Sequence, residues 1–231
     1  MAIILRVDAD SSYGKRNFIN HFFSRMTSDF NLPTISKLPY LEDLKSLINL
    51  FNEKSCKGYF FFRKCTLPDS ELLQSLNLGE HVIGLHLENS RSFETFQLEL
   101  NSLENKVNKK IEAFSKHGSG KYKYGFNHYP FYEPEKYLEW AAKLGLKIFF
   151  GNLEDPSINN LITEDGLLFF PSAFWLEPSW RNTELFDVNW LVKESKKRDI
   201  VLLIHAENIL LNKILYKELD FILQNSETKV I

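Results

Sequence analysis

Residues 3–10 read IILRVDAD, an apolar run that ends in two carboxylates. Three later segments have the same design, with metal-binding or proton-transferring groups at the end: VIGLHLEN (82–89), EAFSKHGSG (112–120) and VLLIHAEN (201–208). In parallel α/β folds the carboxyl ends of the strands open onto one face, where active sites are built. The sequence therefore predicts one convergent site, suited to a divalent metal with an open coordination position. Its predicted members are Asp8, Asp10, His86, Glu88, His117 and His205.

Strand and helix patterns alternate along the chain, without an internal repeat or a linker rich in Pro, Gly or Ser. The predicted strands are 3–8, 58–65, 82–87, 111–115, 147–150, 166–170 and 200–205. The predicted helices are 17–26, 41–52, 69–76, 93–109, 134–145, 188–198 and 209–223. About seven βα units predict one α/β domain over residues 1–231, with a parallel sheet that is open or closed as a barrel. Residues 117–133, rich in glycine and aromatic residues, are predicted to form a functional loop.

Composition excludes several partner classes. The net charge of -2 provides no basic excess for a phosphate backbone, so we expect no nucleic-acid partner. No apolar run reaches the roughly 20 residues of a membrane span, and MAIILRVDAD lacks the basic region of a signal peptide. Cys56 and Cys65 are spaced like neither a redox pair nor a zinc knuckle, and we expect buried, reduced thiols. We therefore expect a cytoplasmic protein; the sequence carries no signal for an oligomeric state.

The first strand carries three charges on one face, because strand side chains alternate and Arg6, Asp8 and Asp10 are two residues apart. One carboxylate can bind a metal while the other acts as a base, and Arg6 can keep that base ionised. The alternative is a strand that runs out into a solvated, Asp-rich turn.

The other three segments place histidines at strand ends. His86 shares a face with Glu88, although a lone histidine is often a core or surface residue. His117 is followed by a Gly-Ser-Gly segment that can turn inward, and a plain turn is the alternative. His205 ends the most apolar strand. It is either a catalytic proton carrier or part of a loop that starts the next helix. The remaining histidines are His21 and His81, which we expect to be structural or exposed, and His128, a reserve ligand.

Together these segments resemble the polysaccharide deacetylases of the NodB-homology type. The resemblance implies a distorted (β/α) barrel of about seven strands with a metal-dependent site. It implies that Asp8 is the catalytic base and Asp10 a metal ligand. The segment IGLH then supplies the first histidine ligand, His86, and LLIH supplies the general acid, His205.

The chain departs from the common members of that family. Ala9 separates two Asp residues that are adjacent there, and Ser90 stands where a second histidine ligand is usual. The usual Arg-Pro-rich motif is also missing. The GLH-x-E and HGS segments resemble a divergent branch among bacterial surface-polysaccharide biosynthesis proteins. In that branch His117 is the natural substitute ligand, with His128 as its rival.

These observations predict a metal-dependent sugar N-deacetylase, with Zn²⁺ as the expected ion and Co²⁺, Ni²⁺ or Mn²⁺ as alternatives. The expected partner is a carbohydrate substrate. One alternative is a non-catalytic member that binds a sugar or a partner, and another is a metal-dependent amidohydrolase with a non-sugar substrate. Candidate substrate contacts are Glu88, Tyr129 and Trp175, with Tyr132 and Trp180 as further stacking candidates; core packing is an equal alternative for each aromatic residue.

Overall fold

Buried apolar strands alternate with helices throughout the computed structural model, which describes residues 1–35, 37–120, 123–163 and 165–231. The strands are β1 (Ile3–Ala9), β2 (Gly58–Phe62), β3 (Val82–Leu87), β4 (Ala113–Lys116), β5 (Ile148–Leu153), β6 (Leu161–Ile162), β7 (Leu168–Ser172), β8 (Phe174–Trp175) and β9 (Ile200–His205). The helices are α1 (Phe18–Phe30), α2 (Glu42–Glu53), α3 (Ser70–Leu78), α4 (Phe93–Val107), α5 (Pro134–Leu144), α6 (Val188–Glu194), α7 (Ala206–Ile209) and α8 (Lys213–Asn225). The alternation predicted from the sequence is confirmed.

The described strands form one sheet in the order β6-β7-β5-β4-β3-β2-β1-β9-β8. Every pairing is parallel except that of β6 with β7. The register places Asp8 beside His205 and His86 beside Ser115. The functional residues of distant segments are therefore brought to the same edge of the sheet.

The sheet curls into a half-barrel. In the sheet order β2 and β5 are separated by two strands, which in a flat sheet puts them about 14 Å apart. Yet the ring centroids of Tyr59 and Phe61 lie 4.9 and 5.2 Å from that of Phe150. These side chains fill the concave side together with Ile4 and Leu203, while the helices pack against the convex side. The fold is thus the predicted distorted (β/α) barrel type, with about seven main strands.

Several element bounds differ from the sequence prediction. The strand predicted over 58–65 ends at Phe62, because Arg63 leads into a single 3₁₀ turn, Lys64–Thr66. The helix predicted over 209–223 is divided into α7 and α8, because the Asn212 side chain caps the second helix. Strands β6 and β8 have two residues each, too few to show a period in the sequence. Residues 121 and 122 of the predicted loop 117–133 lie outside the described residues.

None of the helices in the described ranges is long and apolar enough to cross a membrane.

His81 is a buried structural residue rather than an exposed one, with 6% of its surface accessible. Its Nδ1 accepts a hydrogen bond from the Gly58 amide at 3.2 Å, and its Nε2 lies 2.9 Å from Asn52 Oδ1. Burial, with a smaller effect of Lys57, lowers the pKa of His81 to about 4. The folded protein therefore keeps a neutral ring here, between α2 and β2.

We expect the free energy of unfolding to fall as the pH drops from about 6.5 to about 4. In this range His81 is protonated in the unfolded chain but stays neutral in the folded protein. The stabilisation from the neutral His81 is therefore complete above pH 6.5 and is lost as the pH falls from 6.5 towards 4. The slope from this one group is at most about 1.4 kcal/mol per pH unit. His81→Asn offers an oxygen to the Gly58 amide but cannot be protonated, so urea denaturation at several pH values should show a shallower slope. His21→Asn, at an exposed position, should retain the wild-type slope. Equal slopes in wild type and His81→Asn would contradict the assignment.

Candidate metal centre

Three predicted ligands meet at the carboxyl edge of the sheet. Asp10 Oδ1 lies 3.1 Å from His86 Nε2 and 3.0 Å from His117 Nδ1, and the two ring nitrogens are 3.2 Å apart. Each of the three residues offers one ligand atom to this triangle. His117, the third ligand expected from the sequence, thus lies close to Asp10 and His86.

The triangle fits a tetrahedral metal site. Ligand atoms on a zinc ion with bonds of about 2.0–2.1 Å stand about 3.3 Å apart, close to the observed separations. Asp10 Oδ1 is buried and, although two ring nitrogens lie within 3.1 Å, it makes no hydrogen bond of good geometry with a described residue. A buried carboxylate oxygen without a partner is costly unless a cation or a proton donor satisfies it. The donor set of one oxygen and two imidazole nitrogens suits Zn²⁺, Co²⁺, Ni²⁺ or Mn²⁺.

The protonation states also suit a metal site. Burial alone would raise the pKa of Asp10, but the adjacent His117 and His86 hold it well below its usual range. Burial, together with the charge of Arg63, lowers the pKa of His117 well below its usual value. At neutral pH Asp10 is therefore ionised and His117 is neutral, the forms in which both bind metals.

Neighbouring groups hold the His86 ring and the backbone of His117. His86 Nδ1 is 2.7 Å from Ser115 Oγ, its register partner, so Nε2 is left to face the triangle. An outer partner of this kind fixes ring orientation in metal sites. The backbone carbonyl of His117 lies 2.9 Å from His128 Nε2 and accepts a hydrogen bond of 2.6 Å from Lys116 Nζ. The reserve candidate His128 therefore holds the backbone of His117.

Ser90, at the position where the family usually has a second histidine, lies outside the triangle. It is fully buried, and its hydroxyl donates to Tyr137 Oη at 3.0 Å, towards α5. His117 comes from the next strand in the sheet and occupies the position near His86 instead.

Asp8 lies beside the triangle and is held by a buried arginine. Arg6 donates from Nε to Asp8 Oδ1 at 3.0 Å and from Nη2 to Oδ2 at 2.6 Å. Further bonds from Arg6 reach the Gly151 carbonyl at 2.7 Å and Asn152 Oδ1 at 2.9 Å. Asp8 Oδ2 is 3.5 Å from His86 Nε2. This two-point contact fixes the carboxylate with one oxygen towards the ligand set.

His205 lies on the opposite side of Asp10, with Nε2 3.7 Å from Asp10 Oδ2. Its Nδ1 contacts Glu177 Oε1 at 3.0 Å, and Asn208 donates to the same oxygen at 2.9 Å. Burial alone would lower the pKa of His205, but Glu177 raises it to about 10. His205 therefore carries a proton at neutral pH. Glu177 was not identified from the sequence, because it follows β8, a strand of only two residues.

Arg63 is a second residue that the sequence reasoning missed. Its Nη1 donates to the Asp10 carbonyl at 2.7 Å, its Nη2 donates to Ser28 Oγ at 2.7 Å, and it forms an ion pair with Glu88. Both side chains of the pair are 3% exposed. Arg63 directly follows strand β2, as His117 directly follows β4. The sequence pattern does not mark it as a strand-end residue, because the predicted strand continues to Cys65.

A cavity of about 370 Å³ opens over the triangle. Its described lining combines the site residues with Lys15, His21, Arg25, Glu154, Trp175 and Trp180. Of the three predicted substrate contacts, only Trp175 belongs to this lining. Glu88 is instead buried in the ion pair with Arg63. Tyr129 packs against Phe131 and Lys136, with 5.2 Å between ring centroids and 5.1 Å from the ring to Lys136 Nζ.

No protein-family sequence model matches the chain, and no curated protein sequence matches it. Solved structures do match it over nearly its whole length. A probable polysaccharide deacetylase from Pseudomonas aeruginosa PAO1 has a TM-score of 0.57 at 13% identity, covering 96% of this chain and 84% of its own. A PuuE allantoinase has a TM-score of 0.56 at 12% identity, covering 96% and 83%. A polysaccharide deacetylase from Bacillus cereus has a TM-score of 0.51 at 12% identity, covering 97% and 86%. The chain therefore has the fold of the NodB-type polysaccharide deacetylases, as its strand-end motifs predict.

Proposed function

We propose that the protein is a metal-dependent deacetylase, which removes an N-acetyl or other acyl group from a sugar in bacterial surface-polysaccharide biosynthesis. The observation that carries this proposal is the triangle of Asp10, His86 and His117, with a fixed carboxylate on one side and a protonated imidazole on the other. Acyl transfer to water needs a base near the attacking oxygen and an acid near the leaving amine. The two groups flanking the triangle fit these roles.

Asp10, His86 and His117 would hold the divalent ion. When bound, such an ion supplies a Lewis acid and lowers the pKa of a water molecule. Ser115 would keep the His86 ring oriented, and His128 would hold the backbone of His117, through the contacts described above.

Asp8 acts as the base. Arg6 leaves it no freedom to rotate, so Oδ2 stays directed towards the ligand set, where it takes a proton from the attacking water. Arg6 is a positioning residue here: its three further acceptors on β5, the Phe150 and Gly151 carbonyls and Asn152 Oδ1, anchor the pair.

His205 acts as the acid. Glu177 binds Nδ1, which leaves the protonated Nε2 free to face the cavity and donate to the leaving amine. The carboxylate of Glu177 also stabilises the imidazolium before the proton is transferred.

The cavity suits a sugar ring. Trp175 and Trp180 line it with ring centroids 5.7 Å apart, and Trp175 lies 5.7 Å from the His205 ring. Aromatic faces beside polar groups suit the apolar faces and hydroxyl rims of pyranosides. We therefore propose that these two residues bind the saccharide next to its acyl group.

The alternative is a metal-dependent amidohydrolase with a non-sugar substrate. The likeness of the fold to an allantoinase favours including it. Release of acetate from N-acetylated oligosaccharides, compared with hydrolysis of small cyclic amides, separates the two. A protein that holds the metal but hydrolyses neither class would instead be a non-catalytic binding member.

We expect the purified protein to bind about one divalent ion per chain after reconstitution and dialysis, as measured by elemental analysis. His86→Ala and His117→Ala should each weaken binding by more than the ~10–100-fold that the loss of an outer partner costs. His21→Ala removes an imidazole from the same cavity without touching the triangle and should keep the ion. Background levels of metal in wild type with excess ion present, or loss of binding in His128→Ala but not in His117→Ala, would refute the ligand assignment.

Asp8→Asn and Asp10→Asn should have different consequences. Asp8→Asn should retain the ion but lose roughly 10²–10⁴-fold in turnover, the usual effect of removing a positioned base. Asp10→Asn should lose metal affinity as well. Retained metal in Asp8→Asn also shows that the variant folds with Arg6 unpaired. Equal loss of metal in the two variants would contradict the division of roles.

The activity should decline at alkaline pH as His205 loses its proton. Glu177→Gln removes the charge that raises the pKa of His205 to about 10, so this decline should move to lower pH by about 1–3 units. The pH profile of kcat/KM measures the shift. Glu154→Gln, an exposed position in the same cavity, should leave the profile unchanged. An unchanged alkaline limb in Glu177→Gln would show that His205 is not the acid.

A further inference from the structure

Helix α1 has the reverse of the usual pattern of a surface helix: its polar face is buried and its apolar face is exposed. Its buried residues are polar: Asn20, Ser24, Thr27 and Ser28. Its exposed residues include Phe18 at 82%, Ile19 at 58%, Phe22 at 48% and Phe30 at 55% of their accessible surface. A surface helix in a globular protein normally buries its apolar stripe. Contiguous apolar patches of this kind mark interaction surfaces.

The polar face of α1 is held inward by specific bonds. Ser24 Oγ accepts from the Tyr13 amide and from Ser11 Oγ, both at 2.9 Å. Ser28 Oγ accepts from the buried Arg63. Rotating the helix to bury its phenylalanines would break these bonds and leave Arg63 short of a partner, so the outward apolar face is a fixed property of the fold.

The apolar face continues beyond the helix. Phe18 stacks on Phe22 at 6.4 Å, and Phe30 meets Phe126 edge-on at 5.6 Å. Phe126 is 61% exposed, and its amide donates to Asp29 Oδ1 at 2.9 Å, which ties its loop to the end of α1. The result is one surface of exposed apolar residues, here named the α1 surface: four phenylalanines and one isoleucine, Phe18, Ile19, Phe22, Phe30 and Phe126.

Basic side chains flank the α1 surface. Residues 11–40 contain four basic residues and one acidic residue, Asp29. The basic residues are Lys15, Arg16, Arg25 and Lys37. Three of them form ion pairs: Lys15 with Glu207, Arg16 with Asp43 and Arg25 with Asp29. In these pairs the basic side chains are 45%, 50% and 52% exposed, and the acidic side chains are 4%, 8% and 10% exposed. The cations therefore lie nearer the solvent than the acids, and the charge that faces outward is positive.

The outward positive charge indicates which kind of partner binds the α1 surface. A second copy of the chain, docking through the same surface, would bring two basic rims together, because a two-fold contact uses the same patch on both subunits. An apolar aromatic strip with a basic rim instead matches the headgroup region of an anionic membrane. We propose that the α1 surface docks the protein on an anionic lipid bilayer, with α1 lying in the plane of the interface. The cavity, lined by His21 and Arg25 of the same helix, would then open beside the membrane.

The test is sedimentation of the full chain with vesicles of phosphatidylcholine alone and of phosphatidylcholine with 30% phosphatidylglycerol. We expect strong binding to the anionic vesicles, weak binding to the neutral ones, and release as NaCl is raised from 0.05 to 0.5 M. The double substitution Phe18→Ser and Phe22→Ser should reduce partitioning onto the anionic vesicles by roughly tenfold or more. Leu98→Ser is the matched control, because it removes a 67% exposed apolar residue from α4 and should leave partitioning unchanged.

Three results would overturn the proposal. The first is the absence of binding to anionic vesicles by wild type. The second is binding that the Phe18/Phe22 double variant retains in full while its circular dichroism shows a native fold. The third is a dimer in sedimentation velocity that the same variant converts to monomer without any vesicle binding by wild type, which would assign the α1 surface to a second copy. These readouts do not depend on metal or turnover, so they stand apart from the proposed deacetylase activity.

Discussion

A buried guanidinium links the site to the rest of the molecule. Arg63 is 3% exposed, and burying such a cation costs several kcal/mol unless its hydrogen bonds and charge are met. Its Nη atoms contact the Asp10 carbonyl after β1, Ser28 from α1 and Glu88 after β3, while its Nε has no partner among the described residues. Removing one partner of a buried pair typically costs about 3–5 kcal/mol. The positions of these three elements are therefore coupled through one side chain.

That coupling explains two features that look unrelated. The charge of Arg63 helps to keep His117 neutral, which is the state a metal ligand needs. The same guanidinium draws the polar face of α1 inward, so the phenylalanines of α1 must face outward. The same buried charge therefore contributes both to the state of His117 in the cavity and to the orientation of α1 beside it.

Several residues that the strand-end pattern singles out lie at one edge of the sheet. Strands β3 and β9 have the predicted bounds, because each is a mostly apolar run with a histidine at or next to its last residue. Asp8, His86 and His205 reach one edge of the sheet because the strands are parallel and their register aligns those ends. The sequence could not give the partners that meet across distant segments. Arg63 falls inside the predicted strand 58–65, which extends three residues beyond the observed end of β2. Glu177 follows β8, a strand too short to show a period in the sequence.

The short edge strand β8 shows why the sequence does not predict the position of a residue such as Glu177. Strand β8 pairs Trp175 with Leu203, two residues before His205, and this register carries Glu177 to the histidine ring. Strand β8 lies at the edge of the half-barrel, next to β9. Because the pairing depends on tertiary register, neither the apolar pattern nor the local turn chemistry of LEPSW indicates it.

Two histidines in one cavity are held in opposite protonation states, and their partners account for the difference. His117 is buried near a guanidinium, so its neutral form is favoured. His205 is also buried, but the Glu177 carboxylate at 3.0 Å outweighs the cost of burial and favours the charged form. Asp10 lies between them, 3.0 Å from one ring and 3.7 Å from the other. Environments that push equivalent groups apart in pKa separate a ligand from a proton donor. Both rings are buried, so the difference between them follows from the charges nearby, the Arg63 guanidinium for His117 and the Glu177 carboxylate for His205.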